Sequence, residues 1–210
     1  MKRLYEADME WDVRPSIKAE TIHWMNSLEI KSPRTYQHGV RVAFLAEKFA
    51  PALQLDNSEK EMLIRGCFLH DIGKLFVPSR ILEQEGPLSD QQWKIIKLHP
   101  ELGAELLLEQ VYTEQGIVDL VKHHHERWDG NGYPSGLKGK EIPFQARVCA
   151  ILDAFDCMLT TRSYRKPVTF EEAKTELILH KNKQFDGEIV DLFLSLSEQM
   201  SDLYYFFRKR

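Results

Sequence analysis

Apolar positions along most of this chain recur at intervals of three and four, the spacing of helices that bury one face. No hairpin signal competes with it. The stripe His38, Val42, Leu45 and Phe49 is one example, with steps of four, three and four. The pattern predicts helices at about 16–28, 34–54, 58–72, 89–99, 101–110, 115–125, 143–161, 169–181 and 186–205. Capping boxes mark three of their starts: Ser58 with Glu61, Ser89 with Gln92, and Thr169 with Glu172. Gly73 reads as the C-terminal cap of the third helix, and Pro100 as a break straight after His99. Between Trp128 and Pro143 the glycines 130, 132, 136 and 139, with Pro134, predict a long loop, which Trp128, Tyr133, Leu137 and Ile142 should keep ordered. The predicted fold class is all-α.

Composition narrows the picture. A chain of 210 residues with 43% apolar content supports one domain with a sizeable core. A net charge of −4 gives no overall pull toward a polyanion, so bulk nucleic-acid binding is not expected and an anionic ligand must meet local positive charge. Cys67, Cys149 and Cys157 sit in apolar helical stretches like small hydrophobes, without C-x-x-C spacing, which suits a reducing compartment. The N-terminus turns acidic where a signal peptide needs an apolar stretch, and no window resembles a membrane span. The expectation is therefore a cytoplasmic protein with no membrane association.

The candidate chemistry lies in the histidines. His38, His70, His99, His124 and His125, joined by Asp71 and Asp153, form a set of imidazole and carboxylate donors of the kind first-row transition metals accept. Each alone has a blander reading. His38 could be a hydrogen-bonded core residue, and Asp71 could be paired by Lys74. Asp153, surrounded by Val148, Cys149, Ala150, Ile151, Leu152, Ala154 and Phe155, needs a cation, because burying a lone charge costs several kcal/mol. The termini of two helices bring His99 and the run His123, His124, His125 to one rim of a bundle, with His123 the odd one out; His23 and His180 read as structural. Seven such donors, one a shareable carboxylate, suffice for two ions, and the chain reads as a two-metal hydrolase.

The motifs His70-Asp71-Ile72-Gly73-Lys74, His99-Pro100-Glu101-Leu102-Gly103, His124-His125-Glu126-Arg127-Trp128-Asp129-Gly130-Asn131-Gly132-Tyr133-Pro134 and Asp153 with Thr161-Arg162-Ser163-Tyr164-Arg165 resemble, in that order, the HD-GYP subgroup of HD-domain phosphohydrolases. The resemblance runs from about Arg34 to Leu194. It implies an HD-domain helical bundle with additional helices, and a phosphodiesterase that opens cyclic di-GMP to pGpG, in some members to GMP, through a hydroxide bridging two metals. By position, His38, His70, Asp71 and Asp153 would hold one ion and Asp71, His99, His124 and His125 the second, with iron or manganese as the metals. Where some members place a third-metal glutamate this chain has Arg34, so two ions are expected.

Lys74, one turn from Asp71, is expected to stabilise the phosphoryl charge. Gly132 and Tyr133 are read as substrate contacts, and Arg162 and Arg165 as phosphate or guanine-edge contacts. The implied layout is an N-terminal helical extension over 1–30, an HD-GYP domain over 31–200 and an aromatic and basic tail over 201–210 that packs on the domain or mediates self-association. Two alternatives stand beside cyclic di-GMP hydrolysis. One is action on another cyclic or linear nucleotide; the other is a non-hydrolysing module that binds cyclic di-GMP or diguanylate cyclases of the GGDEF type.

Overall fold

The computed structural model describes residues 19–109, 114–160 and 167–196. Ten helices follow one another in this part of the chain: α1 (Ala19–Lys31), α2 (Pro33–Phe49), α3 (Asn57–Leu69), α4 (Ser79–Leu82), α5 (Asp90–Ile96), α6 (His99–Leu108), α7 (Gln115–His123), α8 (Phe144–Leu159), α9 (Phe170–Leu179) and α10 (Gly187–Ser195). Among the described residues there is no strand, only an isolated bridge between Lys181 and Phe185. The fold is all-α, as the periodicity predicts.

Helix α8 runs through the middle. Its Val148, Cys149, Ile151, Leu152 and Phe155 are fully buried against α2, α3, α7, α9 and α10. Burying each large side chain stabilises the fold by about 1.5–3 kcal/mol. Edge-to-face ring pairs, Phe49 with Phe193 and Phe155 with both Phe170 and Phe193, join α2, α8, α9 and α10. The predicted stripe on α2 is in the core, with His38, Val42, Leu45 and Phe49 all buried. Met25 and Leu28 of α1 belong to the same core.

Several local expectations change. The capping box of α3 is built by Asp56 and Glu59 rather than by Ser58 and Glu61, so the helix starts a turn fraction earlier; the boxes at Ser89 and Thr169 form as predicted. Helix α3 stops at Leu69 instead of running to 72, and His70 and Asp71 lie where it tightens into a 3₁₀ turn, Ile72–Phe76. Gly73 therefore does not cap α3. It sits inside that turn, where a Cβ would overlap the carbonyl oxygen of His99 and stand 2.6 Å from the amide nitrogen of Gly103. Its smallness lets the Asp71 turn lie directly on α6.

Pro100 breaks nothing after His99. His99 opens α6 and the proline occupies its first turn, where a missing N–H costs no helical hydrogen bond. The segment from Trp128 to Pro143 is an ordered loop with one 3₁₀ turn, Gly139–Glu141, and a cis Tyr133–Pro134 bond. Among the described residues no helix is long and apolar enough to cross a membrane. The C-terminal tail beyond 196 lies outside the described residues.

Candidate metal centre

Three imidazoles are set by one repeated local device. The Nδ1–H of His70 donates to the carbonyl of Cys67, that of His99 to Ile96 and that of His124 to Val121, each at 2.7 Å and each three residues back. All three sit at helix ends, where carbonyls lack their usual partners. A carbonyl can only accept, so Nδ1 carries the proton and Nε2 presents a lone pair. His38 is set differently. Its Nδ1 lies 2.7 Å from Asp156 Oδ2, and Arg41 grips the same carboxylate with Nε at 2.7 Å and a terminal nitrogen at 2.9 Å. Outer contacts of this kind orient ligating imidazoles in metal sites.

The freed nitrogens converge. His38 Nε2 stands 2.9 Å from Asp153 Oδ1 and 3.9 Å from Asp71 Oδ2, and His70 Nε2 stands 3.5 Å from Asp71 Oδ2. His99 Nε2 lies 3.2 Å from Asp71 Oδ1 and 3.2 Å from His124 Nε2. The His125 ring centroid is 4.1 Å from that of His124 and 5.0 Å from that of His99. Asp71 thus lies between two donor groups, His38 and His70 on one side and His99, His124 and His125 on the other.

Whether these residues suit a metal can be tested on the side chains alone. His70 Nε2 is buried with no hydrogen-bond partner, a desolvation cost of about 1–3 kcal/mol. His99 and His124 point lone-pair nitrogens at one another. A cation resolves both defects, so the residues present fit divalent ions.

The two sides differ electrostatically. Burial opposes charge on His38, but the carboxylates of Asp153 and Asp156 outweigh it and push its pKa up to about 9. Burial, then repulsion from neighbouring imidazoles, holds His124 well below the usual histidine value, and burial with His99 takes His125 down to about 3. Burial opposes ionisation of Asp71, yet Lys74 and His70 hold it well below the usual carboxylate range. Asp153 is likewise held ionised against its burial, chiefly by His38.

The cluster opens on a cleft of about 720 Å³, bordered by Arg34, Lys74, Trp93, Tyr133 and Thr160. That volume is in the range of small-molecule sites. Lys74 Nζ is 2.6 Å from Asp71 Oδ2. Tyr133 stacks on His125 at 4.9 Å, with the Lys97 ammonium 5.2 Å over its ring. Gly132 is not among the residues lining the cleft. A Cβ there would overlap the backbone of Arg127, so its smallness serves the packing of its own loop. Arg162 and Arg165 lie outside the described residues.

Asp156, Arg41 and Glu126 escaped the sequence reading. Asp156 lies one helical step from Asp153 in the same apolar run, so the question of its partner was already present there. Glu126, buried, accepts backbone N–H bonds from Ser135 at 2.6 Å and Leu137 at 3.1 Å and so folds the glycine loop around His125. His123 Nδ1 faces this glutamate at 3.6 Å, away from the cluster. His23 and His180 lie against Trp24 and the Glu176 carbonyl. Cys157 departs from its reading as a small hydrophobe. It borders the cleft, whereas Cys67 and Cys149 are fully buried.

A helical bundle with a buried histidine and aspartate cluster at the mouth of a cleft defines a class of metal-binding α-domains. The chain belongs to the HD domain family, which matches residues 23–189. It is 38% identical over 184 residues to the 3′3′-cGAMP-specific phosphodiesterase 2 of Vibrio cholerae, covering 87% of this chain and 35% of that protein. To a cyclic di-GMP phosphodiesterase of Thermotoga maritima it is 34% identical over 187 residues, covering 88% of this chain and 51% of the relative. The chain thus spans about a third to a half of the length of these relatives. Among solved structures, Bd1817, an HDGYP protein of Bdellovibrio bacteriovorus, superposes with a TM-score of 0.65 at 22% identity, over 78% of this chain and 52% of that one. The HD domain of the L. monocytogenes phosphodiesterase PgpH, in complex with cyclic-di-AMP, gives 0.64 at 23%, over 87% and 97%. These two likenesses concern the fold.

Proposed function

We propose that this chain is a metal-dependent phosphodiesterase that hydrolyses cyclic di-GMP to pGpG. The observation that carries the reading is the convergence of five imidazoles and the Asp153 carboxylate around Asp71, with a buried lone pair on His70 that finds no proton donor. His38, His70, Asp71 and Asp153 would hold one ion, and Asp71, His99, His124 and His125 the other; iron and manganese both suit such donors. When bound, two cations acidify a shared solvent molecule and polarise phosphate oxygens.

The remaining roles belong to the side chains. The carbonyl contacts of His70, His99 and His124 keep their Nε2 lone pairs aimed inward, so the donor set is formed before any ligand arrives. Lys74 neutralises Asp71 and, at the cleft wall, is placed to meet charge developing on a phosphoryl group. Tyr133 offers an aromatic face beside His125, and Arg162 and Arg165 serve as phosphate or guanine contacts.

Supported by three cysteines that form no disulfide, the protein is read as cytoplasmic, with the 1–30 extension and the 201–210 tail flanking the domain and GGDEF-type diguanylate cyclases as candidate partners. A second reading, hydrolysis of 3′3′-cGAMP, is favoured by the Vibrio relative at 38% identity, which carries that specificity in its name. Anaerobic purification with elemental analysis, then chromatography of reactions with each cyclic dinucleotide, tests both. The expected result is two metal equivalents and linear pGpG from cyclic di-GMP; metal-loaded protein that leaves both dinucleotides intact would refute hydrolysis.

A further inference from the structure

We propose that Cys157 supplies a sulfur donor to the metal position formed by His38 and Asp153. The inference rests on the metal reading above and goes beyond its donor set. On α8, Cys157 lies one turn after Asp153, and its Sγ–H donates to Asp153 Oδ1 at 3.0 Å. That oxygen is the one standing 2.9 Å from His38 Nε2. Sulfur, carboxylate oxygen and imidazole nitrogen lie within 4.8 Å of one another, close enough to share one ion.

A second observation points to a ligand at the same spot. His70 is 1% exposed, its ring lies 5.0 Å from that of His38 in the same donor group, and its buried Nε2 has no hydrogen-bond partner. The wall position of Cys157 sets it apart from Cys67 and Cys149, which are sealed in the core. When a cation enters, the Sγ–H bond breaks, the proton leaves to buffer, and the sulfur lone pair forms the bond to the ion; no electron is transferred.

The consequence is an asymmetric pair. The His99, His124 and His125 cluster carries no sulfur, whereas the His38 position gains a soft donor and with it a preference for cobalt or zinc over manganese. Loading the full chain with cobalt(II) alone, with cobalt content measured directly, tests this. Wild-type protein is expected to show a strong near-ultraviolet sulfur-to-cobalt charge-transfer absorption, and Cys157→Ser to lose it while retaining cobalt at the His99 side.

Cobalt bound by the wild type without that absorption overturns the proposal and leaves the metal reading standing; no cobalt uptake at all overturns both. Absorption that survives in Cys157→Ser also overturns it. Equilibrium dialysis against mixed zinc and manganese gives an independent measure. Cys157→Ser should shift the bound ratio at one site toward manganese, and an unchanged ratio counts against the sulfur ligand.

Discussion

Replacing Asp156 by Asn keeps the shape of a buried side chain but removes its charge and one of its two acceptor oxygens. In the native protein that carboxylate accepts from His38 Nδ1 and twice from Arg41, and it is completely buried. An amide oxygen can fill one of the two positions only: at Oδ2 it keeps His38 Nδ1 and the terminal Arg41 nitrogen, and at Oδ1 it keeps Arg41 Nε alone. Its NH₂ then faces either the guanidinium or the imidazole N–H, donor against donor. Losing one charge-assisted bond costs about 1.5–3 kcal/mol of stability, and the partial exposure of Arg41 favours the lower end.

The functional effect follows from what Asp156 holds. It fixes the His38 ring, and loss of such outer contacts weakens metal binding about 10–100-fold, or about 1.4–2.8 kcal/mol. Because Asp156 touches neither His99 nor His124, only one of two metal equivalents should weaken. Titration against a chelating dye, in protein whose helicity is checked by circular dichroism, measures both steps. Two unchanged equivalents, or equal weakening of both, would show that Asp156 does not act through His38.

Lys74→Ala should retain both metals yet lower turnover roughly 100-fold, because the lysine meets Asp71 from the cleft side; metal content measured beside turnover decides it, and normal turnover removes the lysine from the mechanism. Asp71→Ala should lose both metal and hydrolysis while helicity persists. Gly73→Ala should destabilise the fold by about 3 kcal/mol, read by chemical denaturation, since the added methyl meets backbone of His99 and Gly103 that cannot swing aside. In the metal-free protein, thermal stability should peak near pH 6.5. His125, held down to about 3 in the fold, binds its proton first in the unfolded chain, so stability falls as pH drops below 6.5. His38, raised to about 9, contributes fully below 6.5 and loses its contribution as pH rises through 9. A calorimetric series that stays flat across this range would refute the assignment.

Period and donor identity determined a good deal. The three-and-four spacing around Val42, Leu45 and Phe49 dictates a helix with one buried face whatever it packs against, because 3.6 residues complete a turn. Likewise a run of histidines and aspartates in apolar helices announces unpaired donors, since burial makes each demand a partner. The partners themselves were decided in three dimensions. Asp156 reaches His38 across 118 positions and Gly73 lies on His99 because helices packed, and neither contact has a local spacing to betray it. Cys157 looked like any small hydrophobe until α8 turned it toward the cleft. Local hydrogen bonding and periodicity are written along the chain, whereas which faces meet depends on the joint packing of all the helices.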